Sequence, residues 1–234
     1  MYKEKNILCI ILARGGSKRL PGKNIKPFHG RPLISYAIAA VKDCSYVDTI
    51  VVSTDDEAIA TVAREYGAEV PFMRPAELAT DTATSLSAMQ HAVTFYKEQG
   101  KDFDFIVLIQ PTVPGVMLDD ITKLIEKVID MGSNSGITVS EITDPPAWMY
   151  RMSDTGELSA YMQDAPDARS QDLEKLYRVN GAVYVTKRDI LMERNQIIDK
   201  ESCVGVLMPR ERSVDIDTEA DFKIAETLVE TERR

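Results

Sequence analysis

The sequence predicts an α/β fold in which a mostly parallel β-sheet is covered by helices on both faces. Short apolar runs alternate along the chain with longer amphipathic segments, which is typical of strands joined by crossover helices. Polar or glycine-rich segments follow directly after several of the apolar runs. The chain has 234 residues, so we expect residues 1–234 to form a single domain.

Short apolar runs predict the strands. Ile7–Leu12 (ILCIIL) is apolar throughout, which is typical of a strand that is buried on both faces of a parallel sheet. Phe103–Ile109 has the same character. The other predicted strands are Thr49–Ser53, Val70–Phe72, Ser135–Val139, Gly181–Thr186 and Val204–Met208.

Amphipathic segments predict the helices, and two of them begin with a capping-box pattern. Thr54 with Glu57 predicts the start of one helix, and Thr218 with Asp221 predicts the start of the last one. The predicted helices are Pro32–Lys42, Thr54–Tyr66, Thr84–Gly100, Met117–Met131 and Thr218–Val229.

The stretch from Asp144 to Lys175 departs from this alternation. Prolines, polar loops and short alternating pieces such as WMYRMS and ELSAYM replace the regular succession of strands and helices. We therefore expect a small β excursion or arm outside the main sheet.

Composition excludes several classes of protein. The formal net charge of -9 and the pI near 4.9 argue against a nucleic-acid-binding surface. The longest apolar run is far shorter than the roughly 20 residues that a membrane helix needs, and no signal peptide is recognisable. Three cysteines and two histidines lack the spacing of a zinc site. We expect a protein of the reducing cytoplasm.

Positive charge is concentrated near the N-terminus of this acidic chain. No Asp or Glu occurs between Asn6 and Lys42. Because a solvated face usually mixes both signs, this bias predicts a local site for a highly anionic small molecule. The basic residues of the stretch are Arg14, Lys18, Arg19, Lys23, Lys26, Arg31 and Lys42.

The loop after the first strand, ARGGSKRLPGKN, has the composition of a phosphate-binding loop. It fails the Walker A pattern twice, because Ser17 and Asn24 stand where that motif needs Gly and Ser or Thr. Glycines at 15 and 16 nevertheless allow the backbone N–H groups to approach an anion closely. Arg14 offers a planar fork to phosphate oxygens, and the lysines supply point charges.

Two carboxylates near the C-terminus suggest a metal site. In SVDIDTEADF, Asp215 and Asp217 are two residues apart, so they share a face if the segment is extended. Val214 and Ile216 would then point to the core. Mg²⁺ favours one or two carboxylates together with phosphate oxygens, so the pair and the basic loop together suggest a Mg²⁺–nucleotide site.

Six blocks, in this order, resemble the CMP-sugar-acid synthetases, which are cytidylyltransferases that activate sialic acids and related nonulosonic acids. The resemblance covers nearly the whole chain. The blocks are ARGGSKRLPGKN (Ala13–Asn24), VSTDD (Val52–Asp56), RPAELATDTATS (Arg74–Ser85), QPT (Gln110–Thr112), RVNGAVYV (Arg178–Val185) and DIDTEADF (Asp215–Phe222).

The resemblance implies a reaction and an architecture. CTP and a sugar acid of the N-acetylneuraminate or legionaminate type would give the CMP-sugar and pyrophosphate, with Mg²⁺ as cofactor. The fold would be the Rossmann-like, three-layer nucleotidyltransferase fold. A homodimer is also implied, with a small dimerisation arm at about residues 140–177 that reaches the partner's site.

The resemblance also implies site residues. Arg14 and Lys23 would hold the triphosphate, Asn24 and Ser85 the nucleoside, and Arg74 would lie by the base. Asp215 and Asp217 would carry Mg²⁺ and take part in catalysis. Further nucleotide contacts would come from Ala13, Gly15, Gly16, Ser17 and Lys18, and sugar-acid contacts from Gln110, Arg169, Arg178 and Asn180.

The chain departs from the family pattern at positions that the resemblance places near the sugar acid. QPTVPGVM replaces QPTSPLR, Arg169-Ser170-Gln171 replaces a run with one more arginine, and Trp148 stands where some relatives have lysine. Asn24, where the Kdo-activating relatives usually have proline, favours nine-carbon acids. The alternatives are a CMP-Kdo synthetase or other cytidylyltransferase, a P-loop-like kinase, and a non-catalytic nucleotide-binding regulator.

Overall fold

The computed structural model describes residues 1–163, 169 and 172–229 of the chain. Within these ranges, six strands form a central sheet and two pairs of short strands form hairpins outside it. The strands are β1 (Ile7–Leu12), β2 (Pro27–Phe28), β3 (Arg31–Pro32), β4 (Thr49–Ser53), β5 (Phe105–Ile109), β6 (Ser135–Glu141), β7 (Tyr150–Met152), β8 (Leu158–Ala160), β9 (Tyr177–Lys187) and β10 (Cys203–Leu207).

The central sheet is mostly parallel, with the order β10-β6-β9-β5-β1-β4. β1 pairs in parallel with β4 and β5, and β10 pairs in parallel with β6. β9 runs antiparallel to both of its neighbours, a reversal that the sequence pattern does not reveal. The predicted α/β class with a mostly parallel sheet is confirmed.

Helices cover both faces of the sheet, which gives three layers. Helices α1, α2 and α4 pack against one face, and α3 and α5 pack against the other. None of the helices in the described ranges is long and apolar enough to cross a membrane. The helices are α1 (Ile34–Lys42), α2 (Glu57–Glu65), α3 (Ser85–Glu98), α4 (Leu118–Asp130), α5 (Arg188–Met192) and α6 (Glu219–Leu228).

The first strand shows why the apolar runs are continuous. Successive side chains of a strand point to opposite faces, so both faces of β1 are buried under helices. Ile7, Cys9 and Ile11 belong to the cluster under α1, α2 and α4, whereas Leu8 and Ile10 belong to the cluster under α3 and α5. A strand with this environment needs apolar residues at every position.

Two local predictions are wrong. The N-cap of α2 is Asp56 rather than Thr54, because the Asp56 carboxylate accepts hydrogen bonds from the Ala58 and Ile59 N–H groups. Val70–Phe72 is not a strand, and only an isolated parallel bridge joins Glu69 to Val51. Pro71 lacks the N–H that a continuing ladder would require.

The arm region contains a two-stranded hairpin. Strands β7 and β8 pair with each other and with no other strand of the described residues, so the predicted β excursion is observed as a separate small sheet. Residues 164–168, 170 and 171 of the predicted arm lie outside the described ranges. Large apolar side chains are exposed along this hairpin and its flanks, and they are Trp148, Met149, Tyr150, Met152, Leu158, Tyr161 and Met162.

Candidate active site

A cleft of about 560 Å³ opens at the sheet edge where β1, β4 and β5 end. Loops after the carboxyl ends of parallel strands meet at one edge, so the basic loop, STDD and QPT are brought together there. Many of the residues predicted from the sequence line this cleft. They are Arg14, Ser17, Lys18, Lys23, Asn24, Arg74, Ser85, Gln110, Asp215 and Asp217.

The outer cations of the basic loop are paired across the mouth of the cleft. Arg14 lies 3.2 Å from the Asp81 carboxylate and donates a 2.8 Å hydrogen bond to the Thr80 carbonyl. Lys18 forms an ion pair with the other oxygen of Asp81. These cations, led by the hydrogen bond from Lys18, hold the pKa of Asp81 below its usual range. Asp81 was not singled out from the sequence, because the partnership depends on the fold.

Lys23 is the inner cation of the loop. Its side chain is only 11% exposed. The Nζ atom donates to the Ile216 carbonyl at 2.5 Å and to Asp217 Oδ1 at 3.2 Å. Arg19, which the sequence indicated only as a member of the basic stretch, lies 2.9 Å from the second oxygen of Asp217. The basic loop is therefore tied directly to the predicted metal carboxylates.

Asn24 presents a polar atom that the protein leaves without a hydrogen bond. Its Nδ2 donates to the Arg14 carbonyl at 3.0 Å, which fixes the amide orientation. Its Oδ1 is buried and finds no partner among the described residues. A buried acceptor is costly unless it is satisfied, so this atom is suited to receive a hydroxyl or amino group of a ligand in the cleft.

The two glycines of the loop differ in their surroundings. The Gly15 N–H donates to the Asp55 carboxylate at 3.0 Å, and a Cβ at this position would lie 2.7 Å from Asp56 Oδ2. A Cβ on Gly16 would meet no atom within 4 Å. Ala13 is buried in the core, and its N–H donates to the Ser53 carbonyl. None of these three lines the cleft, so they shape the loop rather than form the cleft wall.

Arg74 is a buried residue of the cleft lining. Its guanidinium donates to the hydroxyl and the carbonyl of Ser53, the last residue of β4. Burial lowers the pKa of Arg74 to about 10, so the group stays charged at neutral pH. Ser85 lies at the start of α3, where Thr84 caps the helix by accepting from the Ser87 N–H.

The two carboxylates face the cleft from a segment without regular secondary structure. Ile216 between them is fully buried, as the alternating pattern predicts, and Val214 is partly buried. Asp215 is open to the cleft, yet partial desolvation by the surrounding protein raises its pKa. The nearby Asp217 raises it further, whereas the neighbouring Thr112 side chain lowers it. The Thr112 hydroxyl is itself buried and has no hydrogen-bond partner among the described residues.

The donor set at this position fits Mg²⁺ held together with a nucleotide. Carboxylate oxygens are the hard ligands that Mg²⁺ prefers, and the metal usually keeps waters and substrate phosphates as its other ligands. Within the described ranges, no group of three or more His, Cys, Asp and Glu side chains converges on one point. The Asp215–Asp217 pair therefore suits a metal that shares its coordination with phosphate, rather than an all-protein cage.

A tyrosine extends the site beyond the predicted residues. Burial raises the pKa of the Tyr184 phenol, and the charge of Asp215 adds to this effect. The Gln110 side chain lies close to the same phenol and lowers its pKa. Tyr184 is part of the alternating pattern of β9, which makes it indistinguishable from a core residue in the sequence.

Three predicted sugar contacts lie away from the cleft lining. Asn180 is buried and satisfied by protein, with Oδ1 accepting from Thr138 and Nδ2 donating to Ser213. Arg178 is exposed and lies 3.4 Å from the Ser140 hydroxyl. Arg169 is exposed and paired with Asp172. The chain's own cleft does not contain these side chains, because β9 directs them elsewhere or the arm carries them outward.

Comparison with known proteins identifies the family. The family model described as Cytidylyltransferase matches residues 8–231. The chain is 36% identical over 221 residues to the pseudaminic acid cytidylyltransferase of Campylobacter jejuni subsp. jejuni serotype O:2, covering 94% of this chain and 95% of the relative. It is 34% identical over 230 residues to the CMP-N,N'-diacetyllegionaminic acid synthase of Legionella pneumophila, covering 96% of each.

A third relative is the N-acylneuraminate cytidylyltransferase of Escherichia coli O18:K1:H7, at 30% identity over 97% of this chain and 53% of the relative. Among solved structures, a CMP:2-keto-3-deoxy-manno-octonic acid synthetase complexed with CTP has a TM-score of 0.71 at 16% identity, covering 95% of this chain and 98% of that one. This likeness establishes the nucleotidyltransferase fold. Together with the family match over residues 8–231, these relatives show that the chain belongs to the cytidylyltransferase family.

Proposed function

We propose that the protein transfers the cytidylyl group of CTP to a nonulosonic acid, releasing pyrophosphate. The observation that carries this proposal is the cleft itself, where a cluster of cations faces a pair of carboxylates at the carboxyl edge of the sheet. Relatives at 30–36% identity are named for pseudaminic, legionaminic and neuraminic acids, all of this class. These names favour nonulosonic acids over the alternative of a CMP-Kdo synthetase.

The nucleotide half of the cleft has the groups that CTP needs. Arg14, Lys18 and Lys23 supply positive charge for the triphosphate. Asn24 Oδ1 is suited to accept from the nucleoside, and Ser85 and Arg74 line the same end. Binding of CTP would replace Asp81 as the partner of Arg14 and Lys18.

The chemistry follows from positioning and charge neutralisation. The anomeric hydroxyl oxygen of the acid attacks the α-phosphorus in line, and the bond from that phosphorus to the pyrophosphate oxygen breaks. Asp215 accepts the hydroxyl proton, because a carboxylate has two oxygens and one stays available as a base when the other binds a metal. Asp215 and Asp217 would hold Mg²⁺, which neutralises the charge that develops on the phosphate oxygens. Arg14 and Lys23 stabilise the departing pyrophosphate.

The acid would bind at the Gln110 end of the cleft. Gln110 lines the cleft close to Tyr184, and Thr112 lines it close to Asp215. Hydrogen-bonding side chains at this end suit the hydroxyl and acylamino groups of a nonulosonic acid. A carboxylate on the acid requires a cation, and Arg178 and Arg169 lie outside the lining, which is consistent with a contribution from a second copy.

A homodimer in the reducing cytoplasm completes the proposal. The β7–β8 hairpin exposes large apolar side chains, including Met152 at 73% and Leu158 at 63% exposure. Contiguous exposed apolar surface is typical of an interface, and a second copy of the chain is its proposed partner. The three cysteines are free thiols, which suits a reducing compartment.

The test is a substrate panel. The protein is incubated with CTP, Mg²⁺ and N-acetylneuraminic, legionaminic, pseudaminic or Kdo acids, and pyrophosphate release is measured. We expect turnover with at least one nonulosonic acid and strong preference for CTP over ATP. Turnover with Kdo alone would support the alternative cytidylyltransferase, and CTP binding without turnover for any acid would support a regulator.

A further inference from the structure

The carboxylate segment, defined as residues 213–217, needs support from the rest of the fold. It belongs to no helix or strand, so its own backbone hydrogen bonds do not fix it. Two contacts hold the Ile216 backbone in its C-terminal half. The Ile216 N–H donates to the Thr112 carbonyl at 2.8 Å, and Lys23 donates to the Ile216 carbonyl. Both contacts lie between the two carboxylates.

The N-terminal half of the segment is held by Arg212, which directly precedes it. The Arg212 guanidinium makes a two-point pair with Asp120, at 2.5 Å and 3.0 Å, near the start of α4. It also donates to the Gly115 carbonyl at 3.0 Å. The side chains are 20% and 5% exposed, respectively, so this pair is largely shielded from solvent.

The loop after β5 packs closely against Arg212. Gly115 lies where the QPTVPGVM stretch departs from the family pattern, and a Cβ there would overlap the Arg212 carbonyl oxygen and Cα. Asp120 is fixed by a hydrogen bond from the Met117 N–H. Ser213, the next residue after Arg212, accepts from the buried Asn180 Nδ2 at 3.0 Å. Asn180 therefore also helps to hold the carboxylate segment in place.

We infer that Arg212 is a positioning residue for the reaction, because its fork on Asp120 and Gly115 sets where Asp215 and Asp217 face the cleft. The inference rests on the proposed function, in which these carboxylates hold the metal. Arg212 itself does not line the cleft, so it acts through the segment rather than on the substrate. A fork with two donors fixes orientation as well as distance, which a single ammonium cannot do.

The main test is Arg212→Lys, which keeps the charge opposite Asp120 and loses the fork. We expect the Tm to change little and CTP binding without metal to stay as in the wild type. The affinity of the protein–CTP complex for Mn²⁺, measured through the relaxation of water protons, should fall about tenfold. Losses of this size are typical when a residue that orients a metal ligand is changed. The kcat should fall by a similar factor with little change in the KM for CTP.

Two further variants separate positioning from general stability. Gly115→Ala changes no charge but pushes against the Arg212 backbone, and it should weaken Mn²⁺ binding in the same direction. Arg188→Lys alters another arginine–carboxylate pair, at the opposite edge of the sheet, and should leave Mn²⁺ binding unchanged. Asp189 and Asp102 are the partners of Arg188.

The outcomes are distinguishable. Wild-type Mn²⁺ affinity in Arg212→Lys would overturn the inference even if the variant were less stable. Equal losses in Arg212→Lys and Arg188→Lys would also overturn it, as would a wild-type protein–CTP complex that binds no Mn²⁺. A wild type that releases no pyrophosphate with any acid would contradict the proposed function instead, and the Mn²⁺ measurement would still decide the role of Arg212.

Discussion

At the scale of single residues, the cleft is defined by how its charges are paired without substrate. Arg14 and Lys18 share Asp81, while Arg19 and Lys23 share Asp217. Asp215 has no cation at ion-pair distance within the described residues, and its pKa is raised mainly by desolvation. The three carboxylates therefore differ in their surroundings, because Asp81 and Asp217 are paired with cations and Asp215 is not.

Asp217→Asn tests the metal role. Removing one of two carboxylates should lower Mg²⁺-dependent turnover by roughly a hundredfold, since metal ligation and charge neutralisation both suffer. CTP binding without metal should persist, because Lys23 keeps its bond to the Ile216 carbonyl. Pyrophosphate release across a Mg²⁺ titration measures the effect. Glu219→Gln, which alters a nearby carboxylate paired with Lys26 outside the cleft, is the control. Unchanged turnover in Asp217→Asn would refute the metal role.

Asp81→Asn tests the pairing at the mouth of the cleft. Exposed ion pairs are worth about 0.2–1 kcal/mol each, and Asp81 makes two that CTP must displace. Both pairs together are worth about 0.4–2 kcal/mol. The neutral variant should therefore bind CTP about twofold to twenty-five-fold more tightly, since each tenfold corresponds to about 1.4 kcal/mol. Calorimetric titration at low salt measures this change. Glu77→Gln, in the same loop region, should bind CTP as the wild type does. Weaker CTP binding in Asp81→Asn would contradict the interpretation.

At the scale of elements, the basic loop after β1 is held by its contact with the start of helix α2. The basic loop packs onto the start of α2, because the Gly15 N–H is bonded to Asp55 and its Cα lies against Asp56. Asp56 also caps α2. Helix α2 and the basic loop therefore both lie against Asp56.

The paired variants Gly15→Ala and Gly16→Ala test this contact. A methyl group at Gly15 would press on the Asp56 side chain, and such overpacking costs about 1–3 kcal/mol. Gly15→Ala should lower the Tm and weaken CTP binding, whereas Gly16→Ala has free space and should do neither. Thermal unfolding and CTP titration of both variants measure the difference. Equal behaviour of the two variants would show that the Asp56 contact is unimportant.

At the scale of the whole molecule, the three-layer core and the exposed hairpin have different properties. The sheet is buried on both faces by helices, while the β7–β8 hairpin carries apolar side chains into solvent. Such a surface suits burial against a second copy of the chain.

Light scattering after gel filtration tests the assembly. The wild type should have about twice the chain mass of 26.1 kDa. Met152→Ser combined with Leu158→Ser should shift the protein toward the monomer, because both side chains are more than half exposed on the hairpin. Met131→Ser removes an equally exposed methionine after α4 and should leave the mass unchanged. A monomeric wild type would exclude the proposed dimer.

The sequence by itself determined the features that depend on local pattern. Continuous apolar runs such as Ile7–Leu12 require burial on both faces, and this predicts the layered sheet. The polar segments after β1 and β5 both line the cleft, and the segment after β4 contacts the basic loop through Asp55. They converge because parallel strands present their carboxyl ends at one edge. The capping box at Thr218 is likewise local, and it is confirmed.

Only the tertiary structure decided the features that depend on contacts between distant residues. The reversal of β9 follows from its pairing with β5 and β6, and it places Asn180 in the interior instead of the cleft. The pairing of Arg212 with Asp120 joins residues 92 positions apart. A local pattern shows which residues are apolar or charged, but long-range packing selects their partners. The contacts that hold Asp215 and Asp217 in place could therefore not be predicted from the sequence.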